Sequence, residues 1–390
     1  MQDTQVEKVN LLDLDKDGMI RFFTSIGEKA FRAQQLLRWI HKNGVSDFDL
    51  MTDLSFALRN KLKKIAVIEG PKLLSEQISN DGTRKWLFSS GNNSAIETIF
   101  IPETNRGTLC VSSQVGCILN CKFCHTGQQG FQRNLQPSEI IGQLWHVVHE
   151  LKKINPDQIR SPITNVVFMG MGEPLLNYEN VLVAIRLMQE DLAYCLSKKR
   201  VTVSTSGVVP FMDKLIAETD VSLAVSLHAP TDDVRTKIMP INKKYSLDIL
   251  MKTCKDYVAK NKKRKVTMEY VMLDGINDQK EHAYQLIKLL KNVPSKINLI
   301  PFNPFSGSSY TCSTPAAIKK FQDILIAHNF IATIRKTRGE DIDAACGQLA
   351  GRVKDRTRRS IPYKQERKYH LPVVIVQSTE QSSEGSQSTH

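Results

Sequence analysis

The chain contains no unbroken apolar run of the roughly 18 residues that a membrane helix needs. Its amino terminus, MQDTQVEKVNLLDLDKDG, lacks both the basic start and the apolar stretch of a secretory signal. These absences point to a cytoplasmic protein that does not enter a membrane. No internal repeat of solenoid period is visible, which argues against a stacked-repeat architecture. Acidic side chains are in deficit: 40 Asp and Glu stand against 53 Lys and Arg, for a net charge of +13. That balance calls for a polyanionic partner, of which RNA is the natural candidate. The 390 residues, 41% of them hydrophobic, suffice for a large buried core. Eight cysteines, at 110, 117, 121, 124, 195, 254, 312 and 346, make a poor disulfide framework for an intracellular chain of this length, so metal or catalytic use fits better.

Three of those cysteines crowd into Gly116-Cys-Ile-Leu-Asn-Cys-Lys-Phe-Cys124. A C-x3-C-x2-C run offers three thiolates where a 4Fe-4S cluster normally takes four. Cys117, Cys121 and Cys124 can therefore grip three irons and leave the fourth for an outside ligand. S-adenosylmethionine can supply one through its amino and carboxylate groups. The competing reading is a zinc site completed by His125. Zinc ligands, however, usually come as two separated pairs, and no second pair is present here.

Residues 1 to 88 read as a small, mainly helical accessory domain. Ser25-Ile26-Gly27-Glu28 has the form of a capping box; Ala33, Leu36, Leu37 and Ile40 follow at helical spacing, and Gly44 closes the helix. Residues 89 to 102 form a linker within a hairpin, expected over 84 to 101 around Gly91-Asn92-Asn93. From 103 to 350, apolar runs at 108–114, 165–169, 200–205, 221–226, 266–272 and 297–301 alternate with helical patterns such as 138–151 and 246–260. Such alternation predicts an α/β fold with a partial (β/α)6 barrel. A further strand, 331–336, precedes the Gly339 to Gly347 loop. From 351 the chain is basic, with eight cationic and two acidic residues between Arg352 and Lys368, and beyond Val376 it has the composition of a disordered tail. Two other basic clusters are Lys198-Lys199-Arg200, and Lys260 with Lys262 to Lys265.

A barrel of this kind places its reactive groups at the carboxyl ends of its strands. Gly170-Met-Gly172-Glu173-Pro follows the second strand, where glycines admit a ligand close to the backbone and Glu173 can accept hydrogen bonds from an ammonium. Ser204 ends the third strand, Ser226-Leu227-His228 the fourth, and Asn303 follows the sixth. Each alone can be an ordinary turn or cap residue.

Together, Gly107 to Cys117, Gln128 to Leu135, Met169 to Asn177, Ser226 to Ala229 and Asp341 to Leu349 resemble the RlmN family of radical SAM RNA methyltransferases, from about Ser25 to Leu349. The resemblance implies a radical SAM barrel whose cluster splits S-adenosylmethionine to a 5'-deoxyadenosyl radical. It assigns Gly172, Glu173, Ser204, Ser226, Leu227, His228 and Asn303 to the cofactor. It also implies methylation of adenine carbon 2, at adenine 2503 of 23S rRNA and adenine 37 of tRNAs. In the implied route Cys346 takes a methyl group from one S-adenosylmethionine, and the radical from a second activates it. Cys110 then frees the product through a transient disulfide, and Glu97 accepts the carbon-2 proton. A reductant such as flavodoxin or ferredoxin and a monomeric enzyme belong to the same expectation. For Glu97 an ordinary surface carboxylate is the rival account; for Cys346 a buried packing thiol is the rival, set against its flexible-loop setting. Two alternatives for the whole chain are the sister carbon-8 rRNA methyltransferase and a non-catalytic zinc RNA-binding protein. The Gln128 to Leu135 string and the long amino-terminal attachment favour carbon 2.

Overall fold

In the computed structural model, residues 8–156, 161–260 and 264–356 are described. Near the amino terminus, β1 (Val9–Asn10), α1 (Lys16–Ser25), α2 (Phe31–Leu37), α3 (Phe56–Ile65) and β2 (Ala66–Val67) make a helical unit closed by a short parallel ladder. Asp15 caps α1 by accepting from the Gly18 amide at 2.9 Å. The expected capping box at Ser25 is not formed. Ser25 is the last residue of α1, its hydroxyl donates to the Phe22 carbonyl, and α2 starts at Phe31 without a side-chain cap. Gly27, at φ +77°, turns the chain between the two helices, so the Ser-x-x-Glu pattern spans a helix end and not a helix start.

Four antiparallel strands follow: β3 (Leu73–Ile78), β4 (Arg84–Ser89), β5 (Ala95–Glu103) and β6 (Arg106–Cys110). The expected hairpin is β4 and β5, and it is hydrogen-bonded into the main sheet through β6. The strand read over 108–114 is broken. Gln143 takes both backbone groups of Ser112 at 2.8 and 2.9 Å, ending β6 and sending the chain into β7 (Gln114–Gly116).

Beyond the short helix α4 (His125–Gln128) and β8 (Phe131–Asn134), which pairs with β7, strands and helices alternate. The order is α5 (Pro137–Ile154), β9 (Asn165–Phe168), α6 (Tyr178–Gln189), β10 (Val201–Thr205), α7 (Val209–Glu218), β11 (Ser222–Ser226) and α8 (Asp232–Ile238). It continues with α9 (Leu247–Ala259), β12 (Val266–Met272), α10 (Lys280–Leu290), β13 (Ser295–Pro301), α11 (Pro315–Ala327) and β14 (Ile331–Ile334). The ten-stranded sheet runs β14-β13-β12-β11-β10-β9-β6-β5-β4-β3, and its members from β6 to β14 are parallel. The expected partial α/β barrel is therefore present, extended by the antiparallel strands. Strands such as β12, buried along almost its whole length, read as apolar runs because helices cover them.

The helical unit docks on α5 and α6. Trp145 donates to the Ile40 carbonyl at 2.8 Å, Asp13 accepts from the Ser138 amide at 2.7 Å, and Arg186 pairs with Asp15 at 3.1 Å. Among the described residues no helix is long and apolar enough to cross a membrane. Most of the basic run from Arg352 to Lys368 and the expected disordered tail lie outside the described residues.

Candidate active site

The cluster loop leaves β7 and returns through α4 to β8. Its path is fixed by the amide of Cys117 on the Gly130 carbonyl at 2.7 Å and that of Lys122 on the Ile238 carbonyl at 2.9 Å. Cys117, Cys121 and Cys124 line an open cavity with about 980 Å³ of empty volume, shared with Gly172, Glu173, Ser204, Ser226, His228 and Cys346. Burial pushes all three thiols up, Cys121 to about 12, so a metal centre must displace their protons.

Glu173 is buried at the end of the turn over 170–172 that follows β9, where it caps the 3-10 helix Pro174–Asn177. Its two carboxylate oxygens accept from the amides of Ser206 at 2.8 Å and Leu175 at 3.2 Å. Burial raises its pKa, while those hydrogen bonds oppose the rise. The carboxylate so held also lines the cavity. Gly172 has φ +99°, and a Cβ there would lie 2.4 Å from the Cβ of Gln114, so the turn admits only glycine.

His228 occupies the left-handed region at φ +58°. Its Nδ1 accepts from the Val271 amide at 3.0 Å, and burial, followed by Arg235, lowers its pKa to about 3. The ring is thus neutral with its proton on Nε2. Phe123 meets it edge-on at 4.6 Å. Leu227 is apart from this group: its side chain lies in the core, and its amide donates to the Glu269 carbonyl. Asn303 lines a smaller adjoining cleft, where its amide donates to the Cys346 carbonyl at 3.3 Å.

Cys110 closes β6 and Cys346 sits in the loop after β14. Burial raises both thiols, Cys110 to about 12; next in size, each thiol feels the other or Arg335, the cation beside both. The two are thus within electrostatic reach, and every cysteine in the chain is free. The Cys346 loop is tied down just beyond the cysteine. Gly347 accepts from the His125 amide at 2.8 Å, and Gln348 donates to the Pro304 carbonyl at 3.1 Å. It is a held loop, not the flexible one its composition suggested. Glu97 is no surface carboxylate either. It is buried on β5, accepts from the Ala350 amide at 2.9 Å and faces Lys85 at 3.6 Å.

Comparisons with known proteins bear on the family and the fold. A family model for the ribosomal RNA large subunit methyltransferase N-terminal domain matches residues 9–68, and the radical SAM superfamily model matches 111–287. The dual-specificity RNA methyltransferase RlmN of Pseudomonas fluorescens (strain SBW25) is 56% identical over 361 residues, covering 92% of this chain and 94% of that protein. The RlmN of Marinobacter nauticus is 54% identical over 358 residues, at 92% and 96%. The chain belongs to the RlmN family of radical SAM RNA methyltransferases. A crystal structure of a radical SAM methyltransferase from Sphaerobacter thermophilus superimposes with a TM-score of 0.82 at 38% identity, covering 87% of this chain and 99% of that one.

The donor set suits the 4Fe-4S cluster that membership in this RlmN family implies. Among the described residues no three or more His, Cys, Asp or Glu converge as they would on one metal ion. In a 4Fe-4S cubane each thiolate would hold a different iron. His125 instead stacks on Phe305 at 4.8 Å.

Sequence reasoning missed Arg235, Arg335 and Gln114. Gln114 accepts from the Glu173 amide at 2.8 Å and so orients the turn. No local pattern marks these residues, because each acts through a contact between distant segments. Two basic clusters also read differently in three dimensions. Lys198, Lys260 and Arg264 all pair with Asp220, at the amino ends of β10, β11 and β12 and opposite the cavity. Lys262 and Lys263 lie outside the described residues.

Proposed function

We propose that this chain forms 2-methyladenosine at adenine 2503 of 23S rRNA and at adenine 37 of tRNAs through an S-methylcysteine at Cys346. The observation that carries the reading is the cavity wall shared by Cys346 with the three cluster cysteines, with Cys110 in electrostatic reach of Cys346. Cys117, Cys121 and Cys124 would hold the cluster; Gly172, Glu173, Ser204, the Ser226-Leu227-His228 turn and Asn303 would hold S-adenosylmethionine. When bound, two molecules of S-adenosylmethionine per turnover supply a methyl group and a hydrogen-abstracting radical, the latter by cleavage at the reduced cluster.

Carbon 2 of adenine is electron-poor and its C–H bond strong, so the methyl carbon must reach it in radical form. Cys346 loses its thiol proton to take the methyl group as a thioether. After one methyl hydrogen is removed, that carbon bonds to carbon 2 and joins protein to RNA. Glu97 takes the carbon-2 proton, and the one electron left over on the ring passes to an acceptor, a role that the oxidised cluster held by Cys117, Cys121 and Cys124 would supply. Cys110, as thiolate, attacks the Cys346 sulfur: an S–S bond forms, the sulfur–carbon bond breaks, and its electron pair stays with the methyl carbon, which takes up a proton. A flavodoxin- or ferredoxin-type donor restores the cluster, a dithiol reductant returns the Cys110–Cys346 disulfide to two thiols by exchange, and the enzyme works as a cytoplasmic monomer. The family's amino-terminal unit and the Gln128 to Leu135 string support carbon 2 over carbon 8.

Nucleoside mass spectrometry of both RNA pools, from cells with and without the gene, tests the assignment. Loss of 2-methyladenosine from both pools on deletion is expected. Unchanged 2-methyladenosine, or loss of an 8-methyladenosine signal in its place, would contradict it.

A further inference from the structure

Arg235 is among the largest fully buried side chains of the protein, with 0% exposure. Its guanidinium donates to the carbonyls of Leu227 at 3.1 Å, Ser206 at 2.7 Å and Ser226 at 3.1 Å, and to Oδ1 of Asn242 at 2.9 Å. All four acceptors are uncharged. A buried cation is ordinarily paired, since desolvation is otherwise expensive. Two of the bonds grip the turn after β11 and one grips the turn after β10, so the two loops are fastened to one group. Ser206, one of the gripped residues, also donates its amide to Glu173.

The same charge lies behind the cluster loop. Arg235 is on α8, whose last residue, Ile238, accepts from the Lys122 amide at 2.9 Å, and Ile238 and Met239 pack with Cys121. Cys121 is, after burial, the largest electrostatic influence on Arg235, and Asp232 follows. Asp232 is itself engaged by Asn242 at 2.7 Å and by the Leu247 amide at 2.9 Å.

One-electron reduction adds a negative charge to a cluster and its thiolates and moves no proton. In a low-dielectric interior, a fixed positive charge alongside favours that state. We propose that Arg235 is a positioning residue that clamps the two loops after β10 and β11 and whose buried charge raises the reduction potential of the cluster held at Cys121. The inference rests on the cluster reading above; the electron comes from the low-potential donor, or from dithionite in the test.

The test is an EPR-monitored redox titration of the cluster-loaded full-length enzyme, with thermal unfolding measured alongside. Arg235→Gln should lower the ratio of reduced to oxidised cluster about tenfold at a fixed potential, which is ~59 mV for a one-electron couple. Arg235→Lys, which keeps the charge but not the fork, should stay within about threefold of wild type while losing comparable thermal stability. Asp232→Asn, near-isosteric, removes the carboxylate charge that acts on Arg235 and should move the midpoint upward. It answers the question even where Arg235→Gln fails to hold a cluster. An unchanged midpoint in Arg235→Gln, equal shifts in Gln and Lys variants, or no upward shift in Asp232→Asn would overturn the inference. A wild-type enzyme without a reducible cubane would overturn the cluster reading itself and the inference with it.

Discussion

The amide of Ala350 donates to Oε2 of Glu97 at 2.9 Å, and this bond joins the carboxylate on β5 to the segment that carries Cys346. Lys85 reinforces the join, standing 3.6 Å from Glu97 and 3.5 Å from the Asp343 carbonyl. Glu97→Gln should keep the fold, because an amide oxygen can still accept from Ala350. Proton removal should fail, lowering methylation by about 100-fold or more. Quantifying methylated RNA and protein–RNA adduct together checks this: turnover should fall while adduct accumulates. Undiminished turnover would exclude Glu97 as the proton acceptor.

Cys110 and Cys346 should be separable by the same assay. Cys110→Ala forms the covalent adduct but cannot resolve it, so RNA should remain trapped on Cys346 and be recovered by denaturing gel and mass spectrometry. Cys346→Ala should give neither adduct nor product. Absence of trapped RNA in Cys110→Ala under turnover conditions would count against the two-cysteine scheme.

Gly172→Ala places a Cβ at 2.4 Å from the Gln114 Cβ on a backbone at φ +99°. The strain should cost about 1 to 3 kcal/mol in denaturant unfolding and weaken binding of S-adenosylmethionine, measured by calorimetry. Unchanged affinity would remove this turn from the cofactor site.

Buried histidines at the junction of the helical unit and α5 make stability pH-dependent. Burial holds His41 near pKa 3 against 6.5 in a free side chain, with His149 adding to the effect, and its Nδ1 contacts the Tyr194 hydroxyl at 3.2 Å. Because the folded pKa is depressed, the unfolded chain binds the extra proton below pH 6.5. Stability should be full above that pH and fall by about 1.4 kcal/mol per unit for this group down to about pH 3. His41→Gln should flatten the pH profile of unfolding by that slope. An unchanged slope would show that His41 does not titrate between the two states.

Charge on the two faces should also behave differently. Arg352, Lys354 and Arg356 are exposed on the segment that pairs with Ala95 and Phe131, next to the cluster loop, whereas Lys198 and Lys260 gather at Asp220 on the opposite end. Replacing the first three by Gln should weaken RNA binding and reduce the slope of log affinity against log salt by about two to three. Replacing Lys198 should leave the slope unchanged. Equal effects at both ends would show that RNA is not oriented toward the cavity.

The parallel strands were legible because helices cover them: Val266–Met272 reads as a mainly apolar strand, broken only by Thr267 and Glu269, and is found as one strand. The cluster loop was legible because its three ligands are close in sequence. What could not be read depends on contacts between distant segments. Arg235 lies in a helix rich in charged residues and looks solvated until its three carbonyl partners from other loops are known. The burial of Glu97 requires Ala350, far along the chain. Ser25 misled for the opposite reason, since a local capping pattern was outweighed by the turn at Gly27.

In the proposed reaction Cys117, Cys121 and Cys124 would hold a cubane with one iron open to S-adenosylmethionine. EPR of the reduced, anaerobically reconstituted enzyme, with and without S-adenosylmethionine, tests it most directly. About four irons per chain are expected, with a cluster signal that shifts on adding S-adenosylmethionine and disappears when the three cysteines are replaced by alanine. A colourless protein, or a cluster signal indifferent to S-adenosylmethionine, would contradict the account.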